Sequence, residues 1–137
     1  MTMNAVTLSK EISPLLADYP VDAAYLFGSQ ASGYANEKSD VDIAVLLSSE
    51  LSKEERFDIR IQLIGLFSKV LHKDVDVVVL NDISSLFFQY VILHEGQLIY
   101  EKSESAHLDF SIKTLGRYFD FQPFLNVYNH HYVQRSL

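Results

Sequence analysis

The chain has no cysteine, which excludes disulfides and thiolate metal sites. Basic residues are the minority, 11 Lys and Arg against 18 Asp and Glu, for a formal net charge of −7. That balance disfavours nucleic acid as a partner, because binding a phosphate backbone depends on counterion release by clustered Lys and Arg. A mononucleotide remains admissible, since metal ions and local backbone dipoles can hold one against an acidic background. A basic partner protein also fits. No apolar run approaches the ~20 residues of a membrane span. The opening MTMNAVTLSKEIS lacks the basic-then-apolar layout of a secretory signal, so a cytoplasmic location is expected. There is no repeat, low-complexity segment or linker. The 137 residues are expected to form a single domain, with a catalytic core over 1–102 and a C-terminal helical region over 103–137 that serves a partner or dimer contact.

The sequence has an apolar share of 48%, and its punctuation alternates helices with short strands. Helix is expected from Ser9 to Asp18, with Pro14 marking an interruption or a late start, followed by the strand VDAAYLF, which Gly28 ends. Residues 29–39 read as a loop and VDIAVLL as a second strand. Ser52 and Glu55 have capping-box spacing. Phe57, Ile61, Ile64, Phe67, Val70 and Leu71 then recur at helical intervals up to His72, where a cation suits the helix dipole. VDVVVL is a third strand. Asn81 or Asp82 would cap a helix that closes at Gly96, and QLIYE is a fourth strand. Ser103 or Ser105 opens a last helical region, with Leu108, Ile112, Leu115 and Phe119 as its expected apolar face.

The chemistry concentrates in FGSQASGYANEKSDVDIAVLL. Side chains alternate across a strand, so Asp40 and Asp42 share one face. Like charges that close repel, and the repulsion is relieved by a cation between them. Oxygen-only ligands suit Mg²⁺, which takes one or two carboxylates and fills its remaining positions with water and phosphate oxygens. Gly28 at a strand end admits a ligand to the backbone, and Ser29 offers a hydroxyl and free N–H groups to an anion. A third carboxylate is wanted for a second metal or to activate a nucleophile. If the first and third strands flank the second, Asp76 lies beside Asp42, with Asp74 nearer the sheet edge.

Gly-Ser, ten residues, then Asp-x-Asp resembles the signature of the DNA polymerase beta-like nucleotidyltransferases. With Asp76 in DVDVVVL and the later HEGQLIY, the chain resembles the minimal nucleotidyltransferases, and within them the MntA antitoxins of HEPN/MNT toxin–antitoxin pairs. The resemblance covers about residues 7–102. It implies an α+β fold with a small mixed sheet flanked by helices. It also implies two Mg²⁺ ions bound by Asp40, Asp42 and Asp76, and ATP held by Gly28, Ser29, Gln30 and Ser39. The implied reaction is transfer of AMP to a tyrosine of a HEPN-domain ribonuclease toxin, which is thereby silenced. Many members carry Arg directly after Gly-Ser. Here Gln30 stands there, a departure that bears on triphosphate binding.

Other motifs fail. Tyr34 and Ala35 stand where a P-loop needs Lys and Ser or Thr, and His94-Glu95 lacks a second histidine four residues on. His130 and His131 are adjacent and cannot face one way on a helix, and His107 has no evident partner. Tyr90, Tyr118, Tyr128 and Tyr132 are explained by amphipathic packing, with partner anchoring as the alternative. Three functions remain open. They are an adenylyltransferase acting on a partner toxin, a small-molecule nucleotidyltransferase of the antibiotic-inactivating kind, and an antitoxin that acts by occlusion alone. The first or second works as an oligomer, with the toxin or with a second copy. The little chain left beyond the core to grip a small acceptor favours the first.

Overall fold

The strands form where β-branched and apolar residues run together between turn residues, and the first three runs end at Gly28, Ser48 and Asn81. In the computed structural model, which describes residues 4–28, 40–103 and 105–120, these runs become β1 (Val21–Phe27), β2 (Val41–Leu47) and β3 (Val75–Val79). A fourth strand, β4, spans Gln97–Glu101. Their order in the sheet is β3-β2-β1-β4. Strand β1 pairs antiparallel with β2 and β4, and β2 pairs parallel with β3, so the sheet is mixed, as expected.

Helix α1 (Ala5–Leu16) starts earlier than the sequence suggested because the Asn4 side chain caps it, accepting the Thr7 N–H at 2.8 Å. Pro14 lies inside its last turns. Helix α2 (Lys53–Leu71) carries the expected capping box: the Ser52 hydroxyl accepts the Glu55 N–H at 3.1 Å and Glu55 accepts the Ser52 N–H at 3.0 Å. His72 closes it in the left-handed region, φ 54°. The buried stripe of α2 is Leu63, Phe67 and Leu71. Phe57 and Ile61, expected on that stripe, are 58% and 49% exposed. The helix has apolar residues on more than one arc, and the sheet covers only one of them.

A short 3₁₀ turn, Leu80–Asp82, leads to α3 (Leu86–Glu95). Its cap is Ser85, not Asn81 or Asp82, with the Ser85 hydroxyl accepting the Phe88 N–H at 3.2 Å. Asn81 instead extends the sheet's hydrogen bonding. Its Oδ1 accepts the Leu47 N–H and its Nδ2 donates to the Leu47 carbonyl, each at 2.9 Å. Asp82 pairs with Arg56 at 2.7 Å. Helix α3 ends at Gly96, where a Cβ would run into the Ile92 carbonyl, so glycine is required for close approach. A further helix, α4, occupies 105–120, and the Ser103 hydroxyl accepts the Ala106 N–H at 3.4 Å near its start.

One face of the sheet packs on α1 and α2 through Leu8, Ile12, Phe67, Ile43, Val45 and Val77, all buried. A fully buried side chain of this size contributes roughly 1.5–3 kcal/mol. The other face, with Ala23, Tyr25, Ala44 and Leu46, is covered by Ile92 of α3 and by Phe110 of α4. Tyr25 and His107 share a hydrogen bond between the hydroxyl and Nδ1, which supplies the partner that His107 lacked in the sequence and ties α4 to the sheet. The stripe of Leu108, Ile112 and Phe119 points outward, at 49%, 63% and 56% exposure, and the buried side chain of α4 is Thr114. Tyr90 and Tyr118 are half-buried and stacked, ring centroids 3.7 Å apart. Among the described residues no helix is long and apolar enough to cross a membrane.

Candidate active site

Strand β2 runs antiparallel to β1 and parallel to β3, so the C-terminal end of β1 and the N-terminal ends of β2 and β3 meet at one edge of the sheet. Phe27 pairs in register with Asp42, and Asp42 with Asp76. Registered neighbours point to the same face at roughly 5 Å intervals, so Phe27, Asp42 and Asp76 form a row there. Asp40, two residues before Asp42, is exposed at the entrance to β2. Asp74 precedes β3, where its carbonyl accepts the Val41 N–H at 2.9 Å, locking the mouths of β2 and β3 together.

Gly28 follows Phe27 with φ 75°, a conformation in which a side chain is strained. A Cβ there would fall against the Asp42 carboxylate. Glycine thus leaves Asp42 its place and keeps the turn open. Ser29, Gln30 and Ser39, expected to bind nucleotide, lie outside the described residues, as do Tyr128, Tyr132, His130 and His131.

Burial lifts the Asp42 carboxyl above the ordinary carboxylate range, and the negative charges of Asp76 and then Asp40 lift it further. A cation placed among these groups would reverse that cost. The donor chemistry, carboxylate oxygens with Asp42 half-buried and Asp40 and Asp76 exposed, fits Mg²⁺. Among the described residues no three His, Asp or Glu side chains are gathered closely enough to enclose a metal. The Asp76 Oδ1 receives the Arg60 Nη2 at 3.3 Å. The same guanidinium donates from Nε to the Val77 carbonyl at 2.6 Å.

Two features of the site escaped the sequence reading. Arg60 sits mid-helix between Ile59 and Ile61, and only the packing of α2 on β3 reveals that it reaches Asp76. Phe88 of α3 packs edge-on against Phe27, ring centroids 6.0 Å apart, beside the carboxylate row. Lys73, three residues before Asp76, has a buried ammonium with no hydrogen-bond partner among the described residues.

A family model described as polymerase beta, nucleotidyltransferase, matches residues 10–105. The protein adenylyltransferase MntA of Shewanella oneidensis is 33% identical over 94 residues, which cover 69% of this chain and 63% of that relative. The match therefore spans less than two thirds of that relative's length. A crystal structure of a toxin–antitoxin with AMP-PNP superposes with a TM-score of 0.66 at 28% identity, covering 91% of this chain and 98% of the matched one. A structure of a tri-AMPylated Shewanella oneidensis HEPN toxin in complex with an MNT antitoxin superposes at a TM-score of 0.62 and 26% identity, over 91% of this chain and 95% of the matched one.

Proposed function

This chain belongs to the polymerase beta nucleotidyltransferase family, and on that premise we propose that it is an Mg²⁺-dependent adenylyltransferase acting as an antitoxin. It transfers AMP from ATP to a tyrosine hydroxyl of a HEPN-domain toxin. The observation that carries this reading is the registered pair Asp42 and Asp76, set beside a glycine whose missing side chain leaves the strand mouth open. The named relatives support it, one as a protein adenylyltransferase and one as an antitoxin complexed with an AMPylated toxin.

The reaction forms a bond from the tyrosine oxygen to the α-phosphorus and breaks the bond to the β-phosphate bridging oxygen, releasing pyrophosphate. Gly28 and Ser29 hold the β and γ phosphates, with Gln30 and Ser39 completing the nucleotide site. Asp40, Asp42 and Asp76 would hold Mg²⁺, which would supply charge neutralisation at the phosphates. Asp76 lies on the outermost of the three site strands, and its carboxylate oxygens draw the proton from the acceptor hydroxyl. Arg60 steadies that carboxylate. Holding the acceptor in line is worth several powers of ten in rate, and a protein acceptor brings the surface for it.

The test is intact-mass analysis of chain and toxin after incubation with ATP and Mg²⁺. Adenylate increments on the toxin, absent with Asp40→Ala, Asp42→Ala or Asp76→Ala, are expected. Toxin neutralisation that survives these substitutions without increments would replace catalysis by occlusion.

A further inference from the structure

The strand order assigns sides to the reaction. Gly28 ends β1, Asp40 and Asp42 open β2, and Asp76 lies on β3, beyond which no further strand follows among the described residues. A nucleotide held over β1 and β2 leaves the acceptor to approach across the free edge of β3. A groove of about 330 Å³ lies on that edge, lined by Phe57 and Arg60 of α2, by Val77, Val78 and Val79, and by Ile83. Arg60 belongs to both places, since it bonds the Val77 carbonyl in the groove wall and Asp76 in the site. Arg60 thus bridges the groove wall and the carboxylate.

The groove is apolar, and its charge is local. Lys53 and Asp82 also line it, but Asp82 is neutralised by Arg56 at 2.7 Å. Arg60 is likewise paired, with Asp76 at 3.3 Å, which leaves Lys53 as the lining cation with no ion pair among the described residues, beside an apolar floor in a chain of net charge −7. Phe57 lines it with no core to fill, and Ile61 follows one helical turn on, both about half exposed. Asp76 and Val79 are three residues apart, roughly 10 Å along the strand. An extended segment of about four to six residues spans that distance, the usual manner of docking along a sheet edge.

We infer that this groove docks the acceptor. An extended segment of the partner polypeptide lies along β3, seats an apolar or aromatic side chain between Phe57 and Ile83, and sets an acidic residue against Lys53. Its acceptor hydroxyl then lies at Asp76. The inference rests on the transfer proposed above. The other exposed apolar stripe, Leu108, Ile112 and Phe119 on α4, has no described hydrogen bond or ion pair that joins it to the carboxylates.

The experiment compares the full chain with Phe57→Glu, Phe57→Ala and Leu108→Glu, all checked by thermal melts. ATP affinity in Mg²⁺ is measured on each chain alone, and AMP incorporation on the HEPN-domain partner. Phe57→Glu should lower kcat/KM for the partner by roughly tenfold or more and Phe57→Ala by less, with ATP affinity unchanged and Leu108→Glu nearly neutral. Wild-type transfer in Phe57→Glu, or a larger loss in Leu108→Glu, would overturn the groove while leaving the transfer intact. A fall in ATP affinity equal to the fall in transfer would also overturn it, by moving Phe57 to the donor side. A wild-type chain that binds ATP yet leaves the partner unmodified would overturn the transfer itself and the groove with it.

Discussion

Replacing Gly28 with alanine separates a backbone cost from a functional one. Gly28 has φ 75°, and left-handed backbone costs a residue with a Cβ roughly 1–2 kcal/mol. The new methyl would also meet the Asp42 carboxylate, a side-chain end that can rotate away, so the added cost in stability is small. The melting temperature should fall by roughly 3–8 °C. The rotation moves Asp42 off its place in the row, however, and misplacing a reacting group by about 1 Å can cost ~10²-fold in rate. Urea unfolding and AMP transfer on the same preparation read the two effects separately. Adding Asp42→Ala removes the contact, so Gly28→Ala should then cost only the backbone share. A Gly28→Ala variant that keeps wild-type transfer would refute the placement of Asp42 against this turn.

Three further outcomes follow from the same geometry. The Asp42 carboxyl has a folded pKa raised by burial and by Asp76 and Asp40, so it favours folding below the ordinary carboxylate range and loses that contribution as pH rises through the raised value. Asp42→Asn should therefore raise the melting temperature of the nucleotide-free chain at neutral pH by roughly 1–3 °C, with a smaller gain at pH 4, while abolishing transfer; a lower melting temperature at pH 7 would contradict this. Burial pushes the Tyr25 hydroxyl up to about 12, with Ser111 opposing and Glu101 adding to the rise. Stability present below pH 10 should drain away between pH 10 and about 12. Tyr25→Phe should flatten that loss and cost on the order of 1 kcal/mol at pH 7 by breaking the bond to His107, both visible in denaturant titrations. Asn81→Ala strips both peptide groups of Leu47 of their partners and should cost roughly 1–3 kcal/mol by urea unfolding.

The strands were legible because their signals are local. VDAAYLF and VDIAVLL are bounded by turn residues and bury almost every side chain, and the position of Asp76 beside Asp42 needed only the order of three strands. The capping box at Ser52 was legible for the same reason. What failed depended on distant partners. The apolar residues of α2 lie on several arcs, and only the sheet's position decides that Leu63 is buried while Phe57 and Ile61 are not. Helix α4 turns its apolar stripe outward, and the arc that meets the sheet carries Phe110, Thr114 and His107, the last bound by Tyr25, 82 residues earlier. Asn81 looked like a helix cap because asparagine serves that role well, yet its amide matches the paired N–H and C=O of Leu47 better. The Arg60 contact with Asp76 likewise exists only across the α2–β3 interface.

The central claim is that this row of carboxylates moves an adenylate from ATP to the toxin. ATP labelled in the α-phosphate, and separately in the γ-phosphate, tests it most directly when incubated with chain, toxin and Mg²⁺. The account predicts that the α label becomes acid-stable on the toxin and the γ label leaves as pyrophosphate, with neither transferred by Asp42→Ala. Retention of the γ label on the toxin, or α-label transfer undiminished in Asp42→Ala, would contradict it.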